Sequence, residues 1–344
     1  MSDDAVFLRA CRREPVPHTP IWLMRQAGRY QASYQAIRAK VDFVGLCKSP
    51  ELACQVTVDA VDQLGVDAAI LFADILLILE PLQIGFRFEA GEGPTIDAPV
   101  RDAEAIDAIP DEIDPNAELG YVMDAVRLIR RALGDRTPLI GFAASPFTLA
   151  SYAIEGGGSR DYHHTKQLMY GDPGAWHALM GKLSRAIASY LNAQVDAGAQ
   201  AVQLFDSWVG ALNEADYRRY VFPYVEAIFD RISGRVPTIH FGQGNPELYG
   251  ALKEAGGDVI SVDWRVRLDD AWSRLGDGVG IQGNMDPTAI LGPREVMFEH
   301  AKAVLDQAGG RNGHIFNLGH GILRWSTVDQ VKALVDYVHE TSAR

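Results

Sequence analysis

The sequence predicts an α/β fold, a (β/α)8 TIM-type barrel, with residues 1–344 forming a single domain. Three observations carry that expectation. Eight short β-rich runs recur along the chain, each run is nearly continuous in apolar residues, and amphipathic helical patterns separate them. Uninterrupted apolar character marks parallel strands covered on both faces, and strict strand–helix alternation builds a barrel or a doubly wound sheet. Eight strands favour the barrel, and a six-stranded doubly wound sheet is the alternative.

In chain order the strand candidates are "TPIWLM" (19–24), "DAAILFAD" (67–74), "PLIGFAAS" (138–145), "AQAVQLFDSW" (199–208), "VPTIHFG" (236–242), "DVISVDW" (258–264), "GVGIQGN" (278–284) and "HIFNLGH" (314–320). The first long helix, "SPELACQVTVDAVDQLG", takes Ser49 as its cap, Pro50 at its first position and Gly65 as its stop. "NAELGYVMDAVRLIRRALG" is expected to open on Asn116 and to close on Arg130, Arg131 and Gly134. "GNPELYGALKEAGG", "GPREVMFEHAKAVLDQAGG" and "STVDQVKALVDYVHE" read as helices in the same way.

Composition narrows the function. At 47% hydrophobic and 22% charged, the chain can bury a large core. Its net charge of -13 argues against nucleic acid and anionic membranes as partners. The charge is uneven: the first 48 residues carry eight Lys/Arg against four Asp/Glu, or +4, whereas the remainder carries 24 against 41, or -17. An anion would therefore be held by the N-terminal segment. The charged start "MSDDAVFLRACRREP" lacks the apolar core of a signal peptide, and "AAILFADILLILEPLQIGF" is broken by Asp74, Glu80 and Pro81, so no membrane span is expected. Cys11, Cys47 and Cys54 form no CxxC and give no disulfide framework, which fits a cytoplasmic protein.

Active sites of such barrels lie at the C-terminal ends of the strands, and polar residues collect there: Arg25 and Arg29, Asp74, Ser145, Asp206 and Ser207, His240, Asp263, Asn284 and His320. Arg25 and Arg29 stand four apart, so strand or helix geometry brings them together, and no Asp or Glu lies between Glu14 and Asp42 to neutralise them locally. An anionic ligand would complete that pair. Asp74 is the one charge inside an apolar stretch and needs a donor or a raised pKa. "EGGGSRD" (155–161) lacks the ending of a phosphate loop and reads as a flap over the barrel mouth, and His163 and His164 read as solvated loop residues. His240 has no cysteine near it in sequence for a zinc site, and GxGxxG is absent, so neither metal nor nucleotide cofactor is indicated.

Seven stretches in order, "PIWLMRQAGRY", "AAILFADIL", "FEAGEGP", "LIGFAASPFTLASYAIEGGGS", "QLFDSW", "QGNMDP" and "FNLGHGI", make the chain resemble the uroporphyrinogen decarboxylase family of haem biosynthesis along nearly its whole length. The resemblance implies a distorted (β/α)8 barrel, a homodimer, no metal or organic cofactor, and removal of CO2 from the four acetate side chains of uroporphyrinogen to give coproporphyrinogen. It also implies that Arg25, Gln26, Ala27, Gly28 and Arg29 hold substrate carboxylates and that Asp74 receives the central pyrrole N–H groups. Tyr152, Ser207 and His320 would hydrogen-bond side-chain carboxylates, and Phe142 and Phe205 would face the macrocycle.

The chemistry suits these residue types. Protonating an electron-rich pyrrole carbon makes a cation into which the carboxylate's electrons collapse as CO2 departs. The substrate is its own electron sink, and the protein supplies charge placement and a proton. The resemblance leaves the donor open between a guanidinium in a dry site, a water and a substrate carboxyl. Departures from the family pattern fall at Gln31-Ala32-Ser33-Tyr34, Asp59-Ala60, Leu79 to Gln83 and Arg324-Trp325, beside the motifs rather than within them. Two rivals remain: a zinc-dependent corrinoid methyltransferase, which would want His-x-Cys where His240-Phe241-Gly242 stands, and a tetrapyrrole-binding protein without turnover.

Overall fold

The apolar runs do form parallel strands, but each is shorter than the run that marks it. In the computed structural model, which describes residues 4–89, 93–232 and 234–344, a curled parallel sheet joins β1 (Ala69–Ile70), β4 (Leu139–Ala144), β5 (Ala201–Asp206), β6 (Thr238–Gly242), β7 (Val259–Ser261), β8 (Gly280–Gln282) and β9 (His314–Ile315) in that order. Residues 90–92 of "FEAGEGP" and the first three residues of the charged start lie outside the described residues. The flanking residues form an antiparallel ribbon that the sequence reading did not anticipate, β2 (Phe86–Glu89) on β3 (Gly93–Ile96).

The expected first strand, 19–24, is not a strand. It makes one parallel bridge, Ile21 with Phe316. The reason lies in its donors and acceptors. Pro20 has no N–H, and the Ile21 amide donates to the Asp67 Oδ2 carboxylate (2.7 Å) instead of a neighbouring carbonyl. The segment still fills the eighth place of the barrel: the Ile21 carbonyl accepts from the Asp67 amide (2.8 Å), and the Pro20 carbonyl accepts from the Phe316 amide (2.8 Å).

The barrel is filled rather than hollow. Trp22 Nε1 donates to Gln282 Oε1 (2.8 Å), and Gln282 Nε2 donates to Gln203 Oε1 (3.0 Å) and Ser261 Oγ (2.9 Å), all from fully buried side chains. Satisfied amides of this kind fix one packing arrangement, because any slip would orphan a buried donor. The N-terminal end is plugged by the helix Val6–Cys11, whose Phe7 and Leu8 join a cluster with Ala68, Ile140, Ala201, Ile239 and Val259.

The helical layer follows the predicted caps with one correction. Ser49 Oγ accepts from the Leu52 amide at the start of Pro50–Leu64, and Gly65 ends that helix in the left-handed region at φ 70°. Asn116, by contrast, is not a cap. Asp114 accepts from the Asn116 and Ala117 amides and starts a one-turn helix, Pro115–Glu118, after which Gly120–Leu133 begins anew at Leu119. A carboxylate one residue before a proline outcompetes the later amide as helix cap. His163 and His164 open the helix His163–Gly171 rather than sitting in a loop, with His163 exposed. No described helix is long and apolar enough to cross a membrane.

Candidate active site

The segment after Ile21 turns sharply over the C-terminal rim, and Gln26 makes the turn. Its Oε1 accepts from the Leu23 amide (3.1 Å), its Nε2 donates to the Ala68 carbonyl (3.1 Å), and its own carbonyl accepts from Tyr30 Oη (2.6 Å). The Gln26 side chain is thus spent inside the wall, which leaves Arg25 and Arg29 exposed at the rim with Ala27 and Gly28 half-buried between them. Arg25 adopts φ 62°, a left-handed conformation that costs energy in a residue with a Cβ and clusters at functional sites. Its stem lies across Gly321, where a Cβ would fall 2.4 Å from Arg25 Cδ. Arg25 keeps contact with solvent although protein surrounds it on most sides; that burial first, and then the Arg29 charge, lower its pKa against the opposing pull of Tyr152 and Asp74.

Asp74 ends the second strand candidate just before the turn Leu77–Leu79, over the buried Leu76, Leu77, Ile78 and Leu79. Burial pushes its carboxyl up to about 6, with the Leu76 amide (2.9 Å to Oδ1) and then the Arg25 charge pulling it back. Among the described residues that amide is its one hydrogen-bond donor, and neither Arg25 nor Arg29 has a carboxylate within ion-pair distance. Arg25 is therefore close enough to Asp74 and to Arg29 to feel both charges without an ion pair to either.

Tyr152 and His320 complete this constellation. Tyr152, on the helix Pro146–Glu155, feels both Asp74 and Arg25, although burial is the main reason its hydroxyl is pushed up to about 12. Its ring lies 3.8 Å from that of Trp208, beside Ser207 at the end of β5. His320 is lowered to about 4, by burial first and then by Arg25 and Arg265, so it stays neutral at physiological pH. Phe142 and Phe205 pack edge to face at 5.6 Å on β4 and β5, and Phe205 meets Phe241 at 5.7 Å, making an apolar wall below the charged rim.

Other rim residues turn out to be supports. Asp206 accepts from Ser145 Oγ and Thr148 Oγ1 (2.9 Å each), and Asp263 accepts from the Gly244 and Arg265 amides and from Arg265 Nη1. Asn284 donates to the Asp263 and Val266 carbonyls, and His240 turns away to the Leu252 carbonyl. The "EGGGSRD" turn is anchored at its base, where the Gly156 carbonyl accepts from the Ile96 amide (2.9 Å) and Glu155 accepts from the Thr165 amide and hydroxyl (2.8 Å each). Arg265, stacked 4.0 Å over Trp264, was not singled out from sequence, nor was Gly321. Only the glycine repeated in "GHGI" hinted at a close approach there.

The departures at Gln31 to Tyr34, at Glu80 and at Arg324-Trp325 are absorbed locally. Gln31 Oε1 accepts from the Gly28 amide (3.0 Å), Gln63 Nε2 donates to Ser33 Oγ (3.0 Å), and Tyr34 packs with Ile37, Leu46 and Val56. Glu80 pairs with Lys48 (2.7 Å), and Arg324 stacks over the exposed Trp325.

Comparison with known proteins decides what this rim belongs to. The profile of the family described as Uroporphyrinogen decarboxylase (URO-D) matches residues 2–341. The chain is 57% identical over 334 residues to the uroporphyrinogen decarboxylase of Sorangium cellulosum (strain So ce56), covering 97% of this chain and 95% of that protein. It is 52% identical over 338 residues to the uroporphyrinogen decarboxylase of Carboxydothermus hydrogenoformans, covering 98% and 96%. The chain belongs to the uroporphyrinogen decarboxylase family.

As a uroporphyrinogen decarboxylase family member it is a carboxy-lyase on a parallel α/β barrel. It is similar in fold to a methyltransferase from Methanosarcina mazei, at a TM-score of 0.82 and 19% identity over 97% of each chain. A B12-independent methionine synthase from Shewanella sp. W3-18-1 shares the fold more loosely, at a TM-score of 0.57 and 12% identity over 88% of this chain and 90% of that one. These likenesses concern the barrel alone. The thiol that the methyltransferase reading asks for beside His240 is Gly242, and the three cysteines sit on the helices Val6–Cys11, Phe43–Lys48 and Pro50–Leu64.

Proposed function

We propose that this rim binds uroporphyrinogen III by its edge and centre at once and removes CO2 from its four acetate arms. Substrate carboxylates complete the charges of Arg25 and Arg29, whose planar guanidiniums pair with carboxylates through two parallel bonds. Asp74 accepts the central pyrrole N–H groups. When a ring carbon is protonated, the positive charge spreads onto the pyrrole nitrogen, where Asp74 already stands. As CO2 leaves, the electrons of its C–C bond form an exocyclic C=CH2 that neutralises the cation. Gain of a proton at that CH2, with loss of the one on the ring carbon, restores the aromatic pyrrole with a methyl group. Tyr152, Ser207 and His320 hold the remaining carboxylates, with neutral His320 offering a hydrogen bond rather than a charge. Phe142 and Phe205 support the macrocycle's apolar face. The lowered pKa of Arg25 is the direction that a guanidinium acid needs.

The observation that supports this reading is a deep carboxylate with, among the described residues, a single amide donor, coupled to Arg25, which with its neighbour Arg29 has no carboxylate partner among those residues. Such an arrangement is costly unless a ligand with both N–H donors and carboxylates fills it. The same reading takes the whole chain as one barrel domain that works as a cytoplasmic homodimer without a cofactor.

Anaerobic incubation with uroporphyrinogen III, followed by separation of the porphyrins, tests it. The wild type yields coproporphyrinogen III, and Asp74→Asn turns over about 10²- to 10³-fold more slowly while still binding substrate. Equal product from both proteins removes Asp74 from the mechanism. Binding without CO2 release by the wild type leaves only a carrier.

A further inference from the structure

At the opposite end of the barrel from the rim, three side chains that the reaction does not use converge on one point. His18 precedes the Ile21 bridge, Asp67 precedes β1, and His339 lies on the last helix, Val328–Thr341. His18 Nε2 stands 3.3 Å from Asp67 Oδ1, His339 Nε2 stands 2.8 Å from Asp67 Oδ2, and the two imidazole rings meet edge to face at 4.6 Å. All three are half-buried, so an ion can reach them from solvent, and their ligand atoms lie within 4.8 Å of one another.

We propose that His18, Asp67 and His339 form a binding site for a divalent transition cation of the Zn²⁺ or Co²⁺ kind. Two imidazole nitrogens and one carboxylate oxygen are the donor set that such ions take with water in the open position, whereas Ca²⁺ and Mg²⁺ call for oxygen ligands throughout. Bonds of about 2.0–2.2 Å place neighbouring ligand atoms about 3.0–3.5 Å apart, a spacing close to the His–Asp distances already present. The ion takes the Nε2 lone pairs, so any proton on those nitrogens is released or passes to Nδ1 as it binds, and the ion replaces the two contacts to the carboxylate without disturbing the backbone. Asp67 is also oriented from behind, since its Oδ2 accepts the Ile21 amide (2.7 Å), the kind of outer contact that steadies a ligand. Nearby, Ser342 Oγ accepts from the Thr19 amide (2.9 Å) and ties the last helix to the His18 segment. The site bridges the seam where the first segment, β1 and the last helix meet, so an occupied site clamps the barrel shut.

The test is titration of the tag-free, chelator-stripped full-length protein with Co²⁺, read by calorimetry and by the cobalt visible spectrum. The wild type takes up one equivalent with a spectrum free of thiolate bands, and saturation raises the melting temperature. His18→Ala and His339→Ala each weaken binding at least about tenfold while keeping wild-type decarboxylation, which also certifies their fold. Cys54→Ser binds as the wild type does. No saturable binding by the wild type, or undiminished binding by both histidine variants, overturns the proposal and leaves a carboxylate merely hydrogen-bonded between two imidazoles.

Discussion

Gly321→Ala is the sharpest probe of the rim because one methyl group must displace one functional side chain. A Cβ on Gly321 would lie 2.4 Å from Arg25 Cδ, 2.7 Å from Cγ and 3.0 Å from Nε. Carbon atoms settle about 3.5–4.0 Å apart, so the Arg25 stem has to move by about 1 Å. Neither backbone can yield that distance. Gln26 pins the turn through Leu23 and Ala68, and the Ile322 amide donates to the Met24 carbonyl (2.8 Å), which holds the Gly321 loop against the same segment. The guanidinium therefore shifts. A displacement of that size in a positioning group costs about 10²-fold in kcat/KM, equivalent to about 2.7 kcal/mol of transition-state stabilisation. Gly321 is outside the positive-φ region, so alanine strains no backbone there and the melting temperature should stay within a few degrees of wild type. Anaerobic initial rates on uroporphyrinogen III check the first number and thermal unfolding the second. In an Arg25→Ala background the same substitution should add little, because its target is gone. Wild-type kcat/KM for Gly321→Ala would refute the placement of Arg25 in the reaction.

Four further outcomes follow from the structure. Asp74 must be ionised to meet a developing cation, and burial holds it near 6, so kcat/KM should rise as pH increases through about 6; a pH profile without that acid limb contradicts its role. Stability runs the other way: with the folded pKa above the ordinary 3.8, the native state holds the proton longer than the unfolded chain, so stability at this group falls as pH rises from about 4 to about 6, and urea titrations of Asp74→Asn should lack that slope. Asp206→Ala leaves the Ser145 and Thr148 hydroxyls without their acceptor in a buried site, and urea unfolding should show a loss of about 2–5 kcal/mol; an unchanged midpoint would show that water replaces the carboxylate. Trp22→Phe removes the donor to Gln282 inside the barrel and should cost about 1–3 kcal/mol with little effect on turnover, which paired unfolding and rate measurements would show.

What the sequence determined by itself was the fold class, the family and the charges that stand at the rim. Apolar runs at strand length alternating with capped helices leave few arrangements, and Arg25, Arg29 and Asp74 were conspicuous because each is a charge where local sequence offers no partner. Strand ends, by contrast, depend on which acceptor wins. The 19–24 segment lost its ladder because Asp67, 46 residues away from Ile21, supplied a carboxylate in place of a carbonyl. Likewise, only the folded chain shows that Gln26 is spent on the turn, that Asp206, Asp263 and Asn284 brace loops instead of facing the opening, and that Gly321 makes room for Arg25. The clustering of His18, Asp67 and His339 belongs to the same class: residues separated by up to 321 positions become neighbours only when the barrel closes and lays its last helix against its first segment. Local pattern encodes what a residue's neighbours in sequence can satisfy; proximity across a closed barrel is set by the packing of every element at once, and no stretch of sequence carries it alone.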